Sequence, residues 1–195
     1  MSGTAVGPLT GQDLLALLHD RRSRPALAAP APDAAQLAEI LRAAATAPDH
    51  GRLRPWRFVV VDEGARSGLG DAFAAAHADR DPTVTPADLE RTRGKAHRAP
   101  MIVVVVSTPH PHPKIAMWEQ RASAVCVAHG VVLAAHALGF GAMWRSGWFG
   151  TAPKVRAHLG LDDTEEVTAW VYLGTPSGPT PPPRQPAHLP VTWLQ

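Results

Sequence analysis

The run TAPDHGRLRPWRFVVV, Thr46 to Val61, decides how this chain is read. Before it, LAEILRAAA (Leu37–Ala45) spaces its apolar residues as a helix does, and after Pro55 the segment WRFVVVD (Trp56–Asp62) reads as a strand. An ordinary connection between the two needs only small polar residues. This one carries Asp49, His50, Arg52 and Arg54 between Pro48 and Pro55. Pro48 ends the helix and Pro55 starts the strand, so a short, stiff loop presents an imidazole and two guanidinium groups.

Working outward, Asp33 with Gln36 three residues later forms a capping-box pattern that opens this helix, which is expected to run to about Ala47. GQDLLALLHDRR (Gly11–Arg22) reads as an earlier helix ending in cations. Downstream, Arg66–Ala78 is expected to be helical despite Gly68 and Gly70, and Thr85-Pro86 with Asp88 opens a helix to about His97. MIVVVVS (Met101–Ser107) is a β-branched run that predicts a strand covered on both faces. TPHPHPK is a loop, a long buried helix is expected from about Trp118 to Leu138, and GAMWRSG is a short strand or extended turn. Thr151 with Pro153 starts a short helix, and EVTAWVYLG (Glu166–Gly174) is the last clear strand. Helices and strands interleave irregularly, which predicts one α+β domain.

Composition narrows the function. Nineteen basic residues against 17 acidic ones leave a formal charge of only +2, so nothing calls for nucleic acid. The uncharged run Ala122–Trp144 is long enough to span a bilayer, but Ser123, His129, His136 and three glycines favour a helix buried in protein. The single cysteine, Cys126, excludes an internal disulfide and fits a reducing, cytoplasmic setting; it reads as a small buried hydrophobe. Residues 1–10 read as a flexible arm with neither the basic start nor the apolar core of a secretory signal.

Several chemistries find no support. GLGDAF lacks the third glycine of a dinucleotide fingerprint, and GFGAMW lies between a helix and an apolar segment, the reverse of the required order. His129 and His136 share a helix face but stand about 10 Å apart along the axis, too far to share one zinc ion. No serine sits in a nucleophile elbow. What remains is three clusters of anion-binding groups: RRSR (Arg21–Arg24), HGRLR (His50–Arg54) and WRSG (Trp144–Gly147). Each falls where a regular element meets a loop, and arginine forks beside a serine hydroxyl suit a phosphate.

Taken in order, RRSR after the first helix, APDHGRLRPWRFVVV, WEQRASAV at the start of the long helix, GFGAMWRSG and the final VYLGTP strand resemble the nitroreductase family of FMN-dependent oxidoreductases. The likeness is to its short bacterial branch with an Ala-Pro-Asp-His motif. It implies a central, mostly antiparallel sheet flanked by helices, in an intertwined homodimer with FMN at the subunit interface. Residues 11–174 would form the FMN-binding domain, and residues 175–195, ending in VTWLQ, an arm that packs on the partner subunit.

The resemblance further implies roles for individual residues. Arg21, Arg22 and Ser23 would sit at the phosphate and ribityl end of FMN. Thr46 and His50 would approach the flavin, His50 from the other subunit. Met143, Trp144 and Arg145 would run beside it, with Arg145 a second cation for the phosphate. NADH or NADPH would reduce the flavin at N5, and a nitroaromatic or quinone-like small molecule would be the acceptor, in ping-pong kinetics at one shared site without a membrane. Trp148 and the PHPHPKIAMW loop are further candidates to line the acceptor pocket. The alternative is a flavin-binding storage or sensor protein without turnover. Two departures stand out: Arg52 and Arg54 replace the family's amides, and Pro25 stands where a basic residue normally contacts the flavin ring, which leaves Arg24 as the nearby substitute.

Overall fold

The computed structural model describes residues 11–182 and 188–194; residues 1–10, expected to be an arm, lie outside that range. The helices are α1 (Gly11–Asp20), α2 (Ala34–Ala44), α3 (Arg66–Arg80), α4 (Pro86–Arg93), α5 (Met117–Ala137) and α6 (Pro153–His158). The strands are β1 (Leu27–Ala28), β2 (Trp56–Val61), β3 (Met101–Ser107), β4 (Gly141–Arg145) and β5 (Glu166–Pro176). All pair antiparallel: β2 with β3, β3 with β5, and β4 and β1 both with β5, at Trp170–Gly174 and at Thr175–Pro176.

The α+β expectation holds, and its local signals act where they were read. The Asp33 carboxylate accepts from Gln36 N at 2.8 Å, while the Gln36 amide oxygen accepts from Asp33 N at 2.9 Å. That reciprocal cap starts α2, and α2 ends at Ala44, a turn earlier than the sequence suggested. Thr85 caps α4 with a single bond, its hydroxyl accepting from Asp88 N at 3.2 Å, with Pro86 at the helix's first position.

β3 is buried at all seven residues and divides two cores. Because strand side chains alternate, Met101, Val103 and Val105 join Val171 and Leu173 against α2 and α5. Ile102, Val104 and Val106 join Trp170 and Tyr172 against α3, α6 and the 3-10 turn at Gly94–His97. Burying each such aliphatic side chain stabilises by roughly 1.5–3 kcal/mol. Helices α2 and α5 meet closely at Gly130, where a Cβ would stand 2.8 Å from Ala44 Cα.

Two expectations are corrected. Strand β1 lies in the proline- and alanine-rich stretch between α1 and α2, whose composition predicts a turn; among the described residues it pairs with the end of β5, which consequently runs on to Pro176. Helix α5 is not buried all round: one face packs on α2 and the sheet, while Val125 and Cys126 on the other are exposed in the chain. Cys126 is therefore not a core residue of this fold. Among the described residues, no helix is long and apolar enough to cross a membrane.

Candidate functional site

The α2–β2 loop is held in an uncommon backbone conformation. Gly51, Arg52 and Arg54 take φ of 74°, 56° and 49°, the left-handed region, where a side chain costs energy. Asp49 stabilises the curl: its carboxylate accepts from Arg54 N at 2.7 Å, and its carbonyl from Arg52 N at 3.2 Å. Ile115 presses on the loop from below, leaving no room for a Cβ at Gly51. Such strain persists where surrounding contacts over-determine it, and here it displays His50. The His50 imidazole is exposed and its Nδ1 lies 2.9 Å from Glu119 Oε2, on the first turn of α5. Thr46, one turn back, donates its hydroxyl to Ala43 O and is exposed.

A second constellation forms along β4. Ser23 bridges to Ala142, and Arg24 N donates to Ala142 O at 2.9 Å, so the RRSR segment lies on the free edge of that strand. Alternation then sends Met143 and Arg145 to the α3 side of the sheet and Trp144 to the α5 side. On the α3 side lies a cavity of about 340 Å³, lined by Met143, Arg145 and Ser146 with Lys95, Arg98 and Tyr172. Trp144 touches its rim, and Phe73, Phe149 and Trp170 form its apolar wall.

The charge there is one-sided. Lys95, Arg98 and Arg145 converge with no carboxylate in the lining among the described residues. The buried Arg145 Nε has no hydrogen-bond partner among the described residues, and its guanidinium rests 5.6 Å above the Tyr172 ring. Lys95 lies over Phe149 at 4.7 Å. Burial, with Arg98 nearby, pulls the Lys95 ammonium below its usual range, and burial pushes the Tyr172 phenol up. Three cations gathered without counter-charge repel one another, and an unsatisfied buried N–H costs about 1–3 kcal/mol. An anionic or carbonyl-rich ligand removes both penalties.

The remaining predicted residues divide. Arg22 is engaged by backbone, donating to His19 O, Arg21 O and Pro182 O at 2.5, 3.0 and 3.4 Å, which ties RRSR to the start of the C-terminal segment. Arg22 and Arg24 line a small pocket with Asp20, Thr180 and Pro181, away from Arg145. Arg21 acts with Arg24 and Arg22 on His136, whose pKa lies below normal through burial first and these charges second. Trp148 does not reach the cavity; it stacks on Phe149 at 4.1 Å and carries Arg80 on its outer face.

Ser23, Met143, Trp144 and Arg145 are thus brought together. Thr46 and His50 are not, because β3 and β5 separate β2 from β4, about 14 Å across the sheet. Sequence reasoning missed Lys95 and Arg98. They sit in a turn without periodicity, and the only local signal is the cation-rich GKAHR immediately before a buried strand.

Known proteins share this architecture. The model of the Nitroreductase family matches residues 18–175. Two relatives are provisionally named NAD(P)H nitroreductases. One, YdjA of Escherichia coli (strain K12), is 38% identical over 167 residues, which is 84% of this chain and 88% of that protein. The other, from Haemophilus influenzae, is 39% identical over 164 residues, with the same coverage. Among solved structures, a nitroreductase-like protein of Bacillus cereus superposes with a TM-score of 0.77 at 23% identity, over 93% of this chain and 95% of that one. A Bacteroides fragilis nitroreductase with bound FMN gives 0.72 at 25% identity, over 94% and 99%. With the family model matching residues 18–175 and a relative 38% identical over 84% of the chain, the chain belongs to the nitroreductase family.

Proposed function

We infer that this protein is an FMN-dependent NAD(P)H oxidoreductase that reduces nitroaromatic or quinone-like acceptors. The observation that carries the reading is the cavity behind β4, with three unpaired cations and the orphaned Arg145 Nε. Its volume of about 340 Å³ falls in the range of small-molecule sites. Bound there, FMN supplies a hydride-accepting and hydride-donating centre at N5.

The chain's own residues have positioning and electrostatic tasks. Lys95, Arg98 and Arg145 face the cavity and stabilise negative charge on a reduced ring system, as donors already in place where the charge develops. Lys95 and Arg98 thereby offer the cations that Pro25 does not, and Arg24 points instead toward Arg22 and the tail. Ser23, on the β4 edge, and Arg21 belong to the phosphate end. Arg22 orders the segment that carries them. Met143 walls the ring from the α3 side of the sheet, and Trp144 contributes at the edge of the cavity.

His50 and Thr46 complete the site from a second copy of the chain. Two features support a homodimer. Leu14, Leu15 and Leu18 of α1, with Val125 and Leu138 on α5, are exposed apolar side chains that a single chain leaves open. The last described residues, including Leu189, Val191, Trp193 and Leu194, form neither helix nor strand and are exposed, as an arm that crosses to a partner would be.

The test is a two-step stopped-flow experiment on FMN-loaded protein. NADH or NADPH is expected to bleach the flavin absorbance without acceptor, and menadione or a nitrobenzene added afterwards restores it, which is ping-pong turnover. A flavin that neither nicotinamide cofactor bleaches would overturn the oxidoreductase reading.

A further inference from the structure

The Glu119 carboxylate uses its two oxygens for two tasks. Oε1 accepts from the backbone N–H of Ala116 at 3.3 Å, which caps the first turn of α5. Oε2 lies 2.9 Å from His50 Nδ1. A carboxylate only accepts, so this contact puts the imidazole proton on Nδ1. The second ring nitrogen, Nε2, then faces outward from the strained loop with no partner among the described residues. Rigidity on one side and an open nitrogen on the other is the arrangement of an oriented acid–base group.

We propose that Glu119 is a positioning residue that makes His50 the proton donor to the electron acceptor. This rests on the reading above, in which His50 reaches the flavin site of the other subunit. Reduction of a quinone to a hydroquinone takes up two electrons and two protons. Hydride from a flavin held in the site would account for both electrons and one proton. His50, protonated at both nitrogens, supplies the second: its Nε2–H bond breaks, the proton goes to the acceptor oxygen, and the ring is left neutral with Nδ1–H held by Glu119. Water then reprotonates Nε2 before the next turnover.

The hydrogen bond from His50 is the first cause holding the Glu119 carboxyl below its usual range, ahead of that from Ala116. Glu119 faces the imidazole from α5. Its own loop carries Asp49, Arg52 and Arg54, and the β3–α5 connection that seats Ile115 against Gly51 carries His112 and Lys114. The Asp49 carboxylate is occupied by Arg54 N, so Glu119 is the acid that the ring meets.

Glu119→Gln keeps an oxygen for the Ala116 cap and removes the charge. With FMN-loaded protein, the oxidative half-reaction with menadione is expected to slow about 100-fold in Glu119→Gln and in His50→Gln at pH 8, in line with general acid catalysis. Reduction by NAD(P)H, which needs no proton donor, should keep its rate. A second readout needs no flavin: nitrogen-15 spectra of the histidine rings should find neutral His50 protonated at Nδ1 in the wild type and shifted toward Nε2 in Glu119→Gln. An oxidative half-reaction unchanged in both variants at normal flavin content would overturn the proposal alone, as would wild-type His50 protonated at Nε2. Protein that takes up no FMN would overturn the reading beneath it, while the ring spectra still report on the pair.

Discussion

The two faces of the sheet are built from alternate residues of the same strands, yet they behave oppositely. Toward α2 and α5, Val103, Val105, Val171 and Leu173 pack into a filled core, and the two helices over it meet so closely that Gly130 has no room for a methyl group beside Ala44. Toward α3, the same strands contribute Ile102, Val104, Trp170 and Tyr172, and the packing opens beside Arg145 into a cation-lined cavity. One face is spent on stability, the other gives some up. The pleat makes this division cheap to encode, since a single residue step along β4 separates Trp144 from Arg145.

The largest way to break this contrast is Gly130→Val, which drives two methyl groups into Ala44. It should destabilise by about 3 kcal/mol, as overpacking of a filled core does, visible as a lower urea midpoint. Arg145→Ala works on the other face. FMN binding should weaken about 30-fold, the loss of a charge-assisted contact, while the ligand-free protein melts no lower, because one of three mutually repelling cations is gone. Flavin fluorescence titration and thermal melts separate these effects.

A smaller effect concerns the loop before β5. Glu165, almost fully buried, takes Arg57 through both oxygens, each at 2.6 Å. The Arg57 hydrogen bond is the first cause that lowers the Glu165 pKa from its reference of 4.5. A folded-state value below the unfolded one means the stabilisation is full above about pH 4.5. It is lost as pH falls through the lower folded value. Glu165→Gln should cost about 1.5 kcal/mol at pH 7, between the values for exposed and for fully buried pairs, and should flatten the melting temperature between pH 5 and roughly 3. A variant that keeps the wild-type acid limb would remove this pair from the account.

Much of the contrast is legible in the sequence. The all-buried β3 follows from six consecutive β-branched or apolar residues, and the α2 cap from Asp33 and Gln36. The β4 cluster was found because RRSR and MWRSG each carry arginine at the end of an element. What escaped was set by tertiary context. Strand β1 exists only because the end of β5 lies beside two unremarkable residues. Lys95 and Arg98 sit in a 3-10 turn whose direction no local pattern specifies. The open face of α5 is hidden because its exposed positions, such as Val125 and Cys126, have the same Ala/Val/Cys character as its buried ones. Residue type alone does not separate a core face from one awaiting a partner.

The central claim is that the cavity behind β4 is a flavin site held by unpaired cations. The most direct test is to titrate ligand-free protein with FMN, following absorbance and fluorescence, for the wild type and for Lys95→Ala/Arg98→Ala/Arg145→Ala. One FMN bound per wild-type chain, with binding lost in a triple variant of unchanged circular dichroism, is the predicted result. A wild-type chain that takes up no FMN, or a triple variant that binds it as tightly, would contradict the account.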